Sequence, residues 1–269
     1  MDTGATNPVL KVVLVGPSGA GKSTIHRHYM HIGDGTTPAA PTIGSDFNVA
    51  TRFVRQRWWT LQLWDVAGQA RFSAVTDATY LHATAIIGVV DLHRAYEEMA
   101  ARAQRSKAKN ATELMNEYLD EELERIRHAL RKVENNIPKP AFVMLGNKVD
   151  LLTQNKIACD EVPVRNHLKS IAQSEMGGVY FDVSGLTGSG VNAAFAAALE
   201  RAARVYEVRT GQVDHNRAEK PRPLAPEFPI DREIVRAPND SWIRYDEEND
   251  EWGSSDPSFV WWRKLFCCI

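Results

Sequence analysis

Gly16-Pro17-Ser18-Gly19-Ala20-Gly21-Lys22-Ser23-Thr24 cuts off a short valine-rich run, Val9–Val15. A β-branched run of that length reads as a strand, and glycine-rich punctuation at its end reads as a turn. Glycines in this spacing let successive backbone N–H groups curl around a phosphate with no Cβ in the way. Lys22 is placed to reach the β- and γ-phosphates and the Ser23 hydroxyl to meet Mg²⁺, with Gly16, Ser18, Gly19, Ala20, Gly21 and Thr24 completing the cradle. A helix is expected over residues 22–32. The stretch thus predicts strand, phosphate-binding turn, helix, an order shared by nucleotide hydrolases and kinases.

Working outward, strands are expected near residues 46–54 and 60–65. The continuous apolar runs 85–91, 141–145 and 179–183 suit strands buried on both faces. Leu119, Leu123, Ile126, Leu130 and Val133 recur at helical spacing, and residues 191–204 are alanine-rich. Strands alternating with helices predict an α/β fold, a mostly parallel sheet with helices on both faces. Ligand groups then gather at the carboxyl ends of the strands. Residues 33–41 lack periodicity and read as a mobile loop. The domain is expected to cover 1–208. A proline-rich linker, 209–240, and an acidic, tryptophan-rich tail, 241–269, follow it. The 269 residues carry a net charge of −2, so neither nucleic-acid binding nor an acidic substrate is implied. No run approaches the ~20 apolar residues of a membrane span. The N-terminus has no signal-peptide pattern. Three cysteines are too few for a disulfide framework, and a reducing, cytosolic setting is expected.

Three further stretches follow strands and fall at the same sheet edge: Trp64-Asp65-Val66-Ala67-Gly68-Gln69, Asn147-Lys148-Val149-Asp150 and Ser184-Gly185-Leu186. With Thr42 in Pro41-Thr42-Ile43-Gly44-Ser45-Asp46-Phe47, they resemble, in order, the boxes of Ras-like small GTPases. That resemblance implies a Ras-like G domain with GTP/GDP and Mg²⁺ as ligands. Asp150 would accept hydrogen bonds from guanine, beside Asn147 and Lys148. The Ser184-Gly185-Leu186 amides would contact the base, although leucine replaces the usual lysine. Ser23, Thr42 and, through water, Asp65 would hold the metal. The Gly68 N–H would sense the γ-phosphate, and Gln69, with Lys22, would act in hydrolysis by orienting the attacking water. No cis arginine finger stands out, which implies slow turnover without an activating protein.

Ile43-Gly44-Ser45-Asp46-Phe47, Leu61-Gln62-Leu63-Trp64-Asp65 and Arg71-Phe72 are similar to Rab segments in particular. The resemblance implies effector contacts through Ile43, Phe47, Trp64, Phe72 and Tyr80, with Phe47, Trp64 and Tyr80 forming a state-dependent aromatic patch. It also implies exchange-factor, activating-protein, prenylation and membrane-extraction partners, a place in vesicle trafficking, and residence on the cytoplasmic face of an intracellular membrane with a cytosolic pool. Cys267-Cys268-Ile269 resembles a doubly prenylated Rab ending, and two prenyl chains anchor stably where one holds marginally. The chain departs from the family in three places. Residues 33–41 hold no ring to stack on guanine, an insertion lies at about 94–112, and the tail is long and acidic. For the insertion, a partner or lipid site and a solvated helix extension are both open. An alternative for the whole is a weakly hydrolysing guanine-nucleotide scaffold; a phosphate-transferring kinase is a third, remote class. His26, His28 and His31 are read as a solvated helix surface.

Overall fold

The computed structural model describes residues 7–32, 42, 45–68, 73–105, 111–157 and 162–212, together with short strands at 235–236, 242–246 and 251–253. Six strands form one sheet: β1 (Val9–Val15), β2 (Ser45–Val54), β3 (Arg57–Val66), β4 (Ala85–Asp91), β5 (Ala141–Asn147) and β6 (Val179–Asp182). Their order is β2-β3-β1-β4-β5-β6, and β2, an antiparallel edge strand, is the exception in a parallel sheet. All seven residues of β4 are buried, which is why it reads as an unbroken apolar run.

Helices cover both faces. On one side α1 (Lys22–Tyr29) and α7 (Val191–Thr210) bury Ile25, Phe195 and Leu199 against Leu10, Leu61 and Val143. On the other lie α2 (Ser73–Tyr80), α3 (Leu92–Arg105), α4 (Ala111–Lys132), α5 (Val149–Gln154) and α6 (Pro163–Ser174). Their apolar side chains, Leu92, Leu119, Leu123, Leu152 and Leu168 among them, form the second core with Val13, Ile86 and Met144.

Several boundaries differ from the sequence reading. α1 stops at Tyr29, short of residue 32, because His31 takes a left-handed φ of 54° that ends the helix. α7 continues past residue 204 to Thr210, where Gly211, at φ 67°, terminates it. β3 begins at Arg57, because residues 45–66 form one long hairpin whose register runs from Ser45↔Val66 to Val54↔Arg57. Residues 94–105 of the stretch read as an insertion lie in α3, which packs on α4 through Arg102; that guanidinium pairs with Glu98 and Glu121 and sits 5.4 Å from the Tyr118 ring. Among the described residues, no helix is long and apolar enough to cross a membrane.

Contacts separate a second unit, residues 215–269, from the first. Within it β7 (Val235–Arg236), in the stretch read as linker, pairs with β8 (Trp242–Asp246), and β8 pairs with β9 (Glu251–Gly253), both antiparallel.

Candidate nucleotide-binding site

The carboxyl ends of β1, β3, β4 and β5 converge on one edge, and most of the residues singled out from sequence meet there. After β1 the chain turns through Gly16–Gly21 into α1. Gly21 takes φ +92°, a conformation a side chain would strain, and a Cβ there would lie 2.2 Å from Asn147 Nδ2. Lys22 is buried, and its Nζ donates to the carbonyls of Gly16 and Pro17, each at 2.9 Å. Burial lowers its pKa to about 8; the Asp65 carboxylate works the other way and the Arg125 charge adds to the lowering.

Ser23 Oγ lies 2.5 Å from Asp65 Oδ2, and Thr42 Oγ1 is 3.0 Å from Ser23 Oγ and 3.3 Å from the same carboxylate oxygen. Three hard oxygen donors from α1, β3 and the loop before β2 thus share one point. Asp65 Oδ1 is buried with no hydrogen-bond partner among the described residues. Oxygen donors in this number suit Mg²⁺, which is held by one or two protein groups plus phosphate and water. Gly68 presses against the phosphate turn: a Cβ on it would sit 2.6 Å from the Ser18 amide nitrogen and 2.7 Å from Lys22 Nζ.

Asn147 closes the other side. It is 1 % exposed, its Nδ2 donates to Ala20 O at 2.8 Å, and its Oδ1 accepts from Gly185 N at 2.9 Å. One side chain therefore ties the phosphate turn to the loop after β6. Lys148 holds a left-handed φ of 68° and pairs with Asp91 at 2.7 Å, while Asp150 sits in the first turn of α5. Ser184 is buried and its Oγ accepts from Thr187 N at 3.0 Å, shaping the turn that presents Gly185; Leu186 stands 51 % exposed beside it.

Phe47 and Trp64 stack at 4.5 Å between ring centroids, with Phe47 46 % exposed. Tyr80 departs from the expectation. It is 1 % exposed and packs in the core beneath α4, because α2 turns this face inward, so it is not part of the surface patch. His26 is likewise corrected: it is buried at 3 %, since its face of α1 packs inward. Ile43, Gln69, Phe72, residues 33–41, Cys267 and Cys268 lie outside the described residues. Asp91 was missed in the sequence. It ends the buried strand β4, pairs with Lys148, and its Oδ1 accepts from Arg94 N at 3.0 Å to cap α3; an acidic residue closing an apolar run at the ligand edge was the available signal.

A glycine turn between strand and helix, a buried lysine, three oxygens meeting at one point and an asparagine bridge to the loop after β6 are the arrangement of a nucleotide-binding domain of the phosphate-loop class. The model of the Ras family matches residues 11–116. The chain is 31% identical over 157 residues to the Ras-related protein RabC of Dictyostelium discoideum, covering 56% of this chain and 65% of that one. It is 30% identical over 187 residues to the Ypt/Rab-type GTPase ypt7 of Pyricularia oryzae, covering 70% and 78%. To the Ras-related protein RABG3f of Arabidopsis thaliana it is 30% identical over 187 residues, covering 70% and 79%. The chain belongs to the Ras family of small GTPases, as a divergent Rab-like member.

Proposed function

We propose that this chain is a GTP/GDP-dependent switch that hydrolyses GTP to GDP and phosphate and recruits effectors to an intracellular membrane in vesicle trafficking. The observation that carries this reading is the meeting of Ser23, Thr42 and Asp65 at one point beside Lys22. In this reading the turn amides and Lys22 hold the β- and γ-phosphates, Gly68 N–H meets the γ-phosphate, Gln69 orients water, and Asp150 selects guanine. Bound Mg²⁺ neutralises charge on the β- and γ-oxygens. Thr42 comes from the loop before β2, so its contact with the metal point reports the state of that loop to the adjoining Phe47–Trp64 surface. Cys267 and Cys268 carry the prenyl anchor in this reading, and exchange factor, activating protein, effectors and extraction machinery are its partners.

Single-turnover hydrolysis by the purified full chain with Mg²⁺ tests the proposal. The wild type is expected to turn over at ~10⁻⁴–10⁻² s⁻¹, the range of G domains acting alone. Gln69→Leu should bind GTP equally well and hydrolyse it at least ~10-fold more slowly, since positioning of the water is lost. Equal inertness of the two proteins would favour the scaffold reading instead.

The ring-free segment 33–41 bears on exchange. Base–aromatic stacking is worth ~1–3 kcal/mol, so its absence corresponds to ~5- to 150-fold looser nucleotide. Gly35→Phe is accordingly expected to slow release of a fluorescent GDP analogue, and an unchanged off-rate would remove this explanation.

A further inference from the structure

At the sheet edge opposite the nucleotide site, beside the amino ends of β4 and β5, His82, Asn136, Ile137 and Arg209 line an open cavity of about 210 Å³. Arg209 comes from the last turn of α7, and its guanidinium spans two loops. Its Nε and Nη2 donate to Pro138 O at 3.3 and 3.0 Å, and its Nη1 donates to Ala83 O at 2.9 Å. A guanidinium carries five N–H groups, so one is left on each terminal nitrogen. Among the described residues these two have no acceptor, and no carboxylate pairs with Arg209. Burial holds its pKa below the usual arginine value, and no neighbouring charge offsets that shift.

The surroundings add donors and no anion. The His82 ring and the Asn136 side-chain amide make no hydrogen bond among the described residues. His82 holds a left-handed φ of 61°, a strained conformation for a residue with a Cβ. Lys11 Nζ donates to the carbonyl of the preceding residue, Leu81, at 2.9 Å, and Lys11 also lacks a carboxylate partner among the described residues. The rim, in contrast, is apolar: Ile137 is 92 % exposed and Leu81 51 %. Taking one such side chain out of water strengthens an association ~10- to 150-fold.

We infer that this cavity binds the phosphorylated headgroup of a membrane lipid, a phosphomonoester held by Arg209 while Ile137 and Leu81 enter the bilayer around it. A guanidinium with an N–H left on each terminal nitrogen offers the two-pronged fork that phosphate oxygens accept. A free phosphate would use the same donors and leave Ile137 and Leu81 in water, so the exposed rim favours the lipid. Arg209 also stands one residue from the end of α7, where the chain leaves the domain. The site goes beyond the switch reading, since it lies at the other end of the strands from the phosphate turn.

The experiment measures binding of the purified full chain, without prenyl groups, to phosphatidylcholine vesicles carrying phosphatidylinositol 4-phosphate. Phosphatidylserine vesicles of equal surface charge are the reference. GDP and Mg²⁺ are kept in excess so that the phosphate turn does not compete for the headgroup. A charge-assisted hydrogen bond corresponds to a ~10- to 150-fold change. The wild type is therefore expected to prefer the phosphomonoester vesicles at least ~10-fold, and Arg209→Gln to remove that preference. His82→Gly, which suits the left-handed backbone and deletes the ring, should weaken it as well. Ile137→Asp should lower vesicle binding at least ~10-fold and leave calorimetric affinity for the deacylated headgroup, glycerophosphoinositol 4-phosphate, unchanged. Binding that follows surface charge alone, or a preference that survives both Arg209→Gln and His82→Gly, would overturn the inference. Full vesicle binding by Ile137→Asp would assign the cavity to a free phosphate and overturn the lipid. If Arg209→Gln does not fold, His82→Gly decides alone. A chain that binds no guanine nucleotide would sink the proposed function without touching this vesicle comparison.

Discussion

Lys22→Met is expected to lower nucleotide affinity by ~10²–10⁴-fold while making the nucleotide-free protein more stable at pH 7. The loss follows from two charge-assisted hydrogen bonds to phosphate at ~1.5–3 kcal/mol each. The gain follows from the site itself. Burial pushes the lysine from its ordinary 10.5 down to about 8, so holding its proton at pH 7 works against folding. At ~1.4 kcal/mol per pKa unit that is about 3 kcal/mol. Losing the donor to Gly16 O and Pro17 O gives back about 1–2 kcal/mol, leaving a net gain of about 1–2 kcal/mol. The same residue sets a pH dependence. Between pH 8 and 10.5 the unfolded chain binds more protons at Lys22 than the folded one, so its contribution to wild-type stability rises with pH across that window. Phosphate restores the charge, and nucleotide binding at pH 9 should take up a proton that binding at pH 7 does not. Calorimetry in buffers of different ionisation enthalpy measures the uptake, and melting of stripped protein measures the stability. An affinity within tenfold of wild type, or a less stable nucleotide-free variant, would refute the account.

Asn147→Ala is expected to cost nucleotide affinity ~10²-fold or more and to lower the melting temperature as well. The Ala20 carbonyl and the Gly185 amide are both buried partners of this side chain, and leaving each unpaired costs ~1–3 kcal/mol. Asn147→Asp separates the two bonds. It keeps an acceptor for Gly185 N but buries a carboxylate against Ala20 O, so it should bind nucleotide no better than the alanine variant and melt no higher than it. Calorimetry and thermal melts read both quantities. A variant that loses neither affinity nor stability would show that the phosphate turn and the base-side loop hold their places without this bridge.

The glycine turn and the helix after it were legible because they are local. Gly16, Gly21, Lys22 and Ser23 act through backbone that nine consecutive residues determine, and a glycine turn after a valine run folds similarly wherever it stands. The buried strands β4 and β5 were legible for a related reason, since burial on both faces erases alternation and leaves an unbroken apolar run. The ends of elements were less so: His31 and Gly211 stop helices by single left-handed residues that periodicity does not register.

By itself, then, the order of residues determined which groups are available: a phosphate turn, oxygen donors at 23, 42 and 65, and an asparagine and aspartate after β5. Tertiary structure decided which of them meet and which face inward. It turned Tyr80 and His26 into the core, joined Asn147 to Ala20 and Gly185 across the sheet edge, and placed Arg94 at the phosphate turn. Helix and strand periods repeat locally, but the face an element buries, and the charge that stands opposite it, depend on neighbours a hundred residues away.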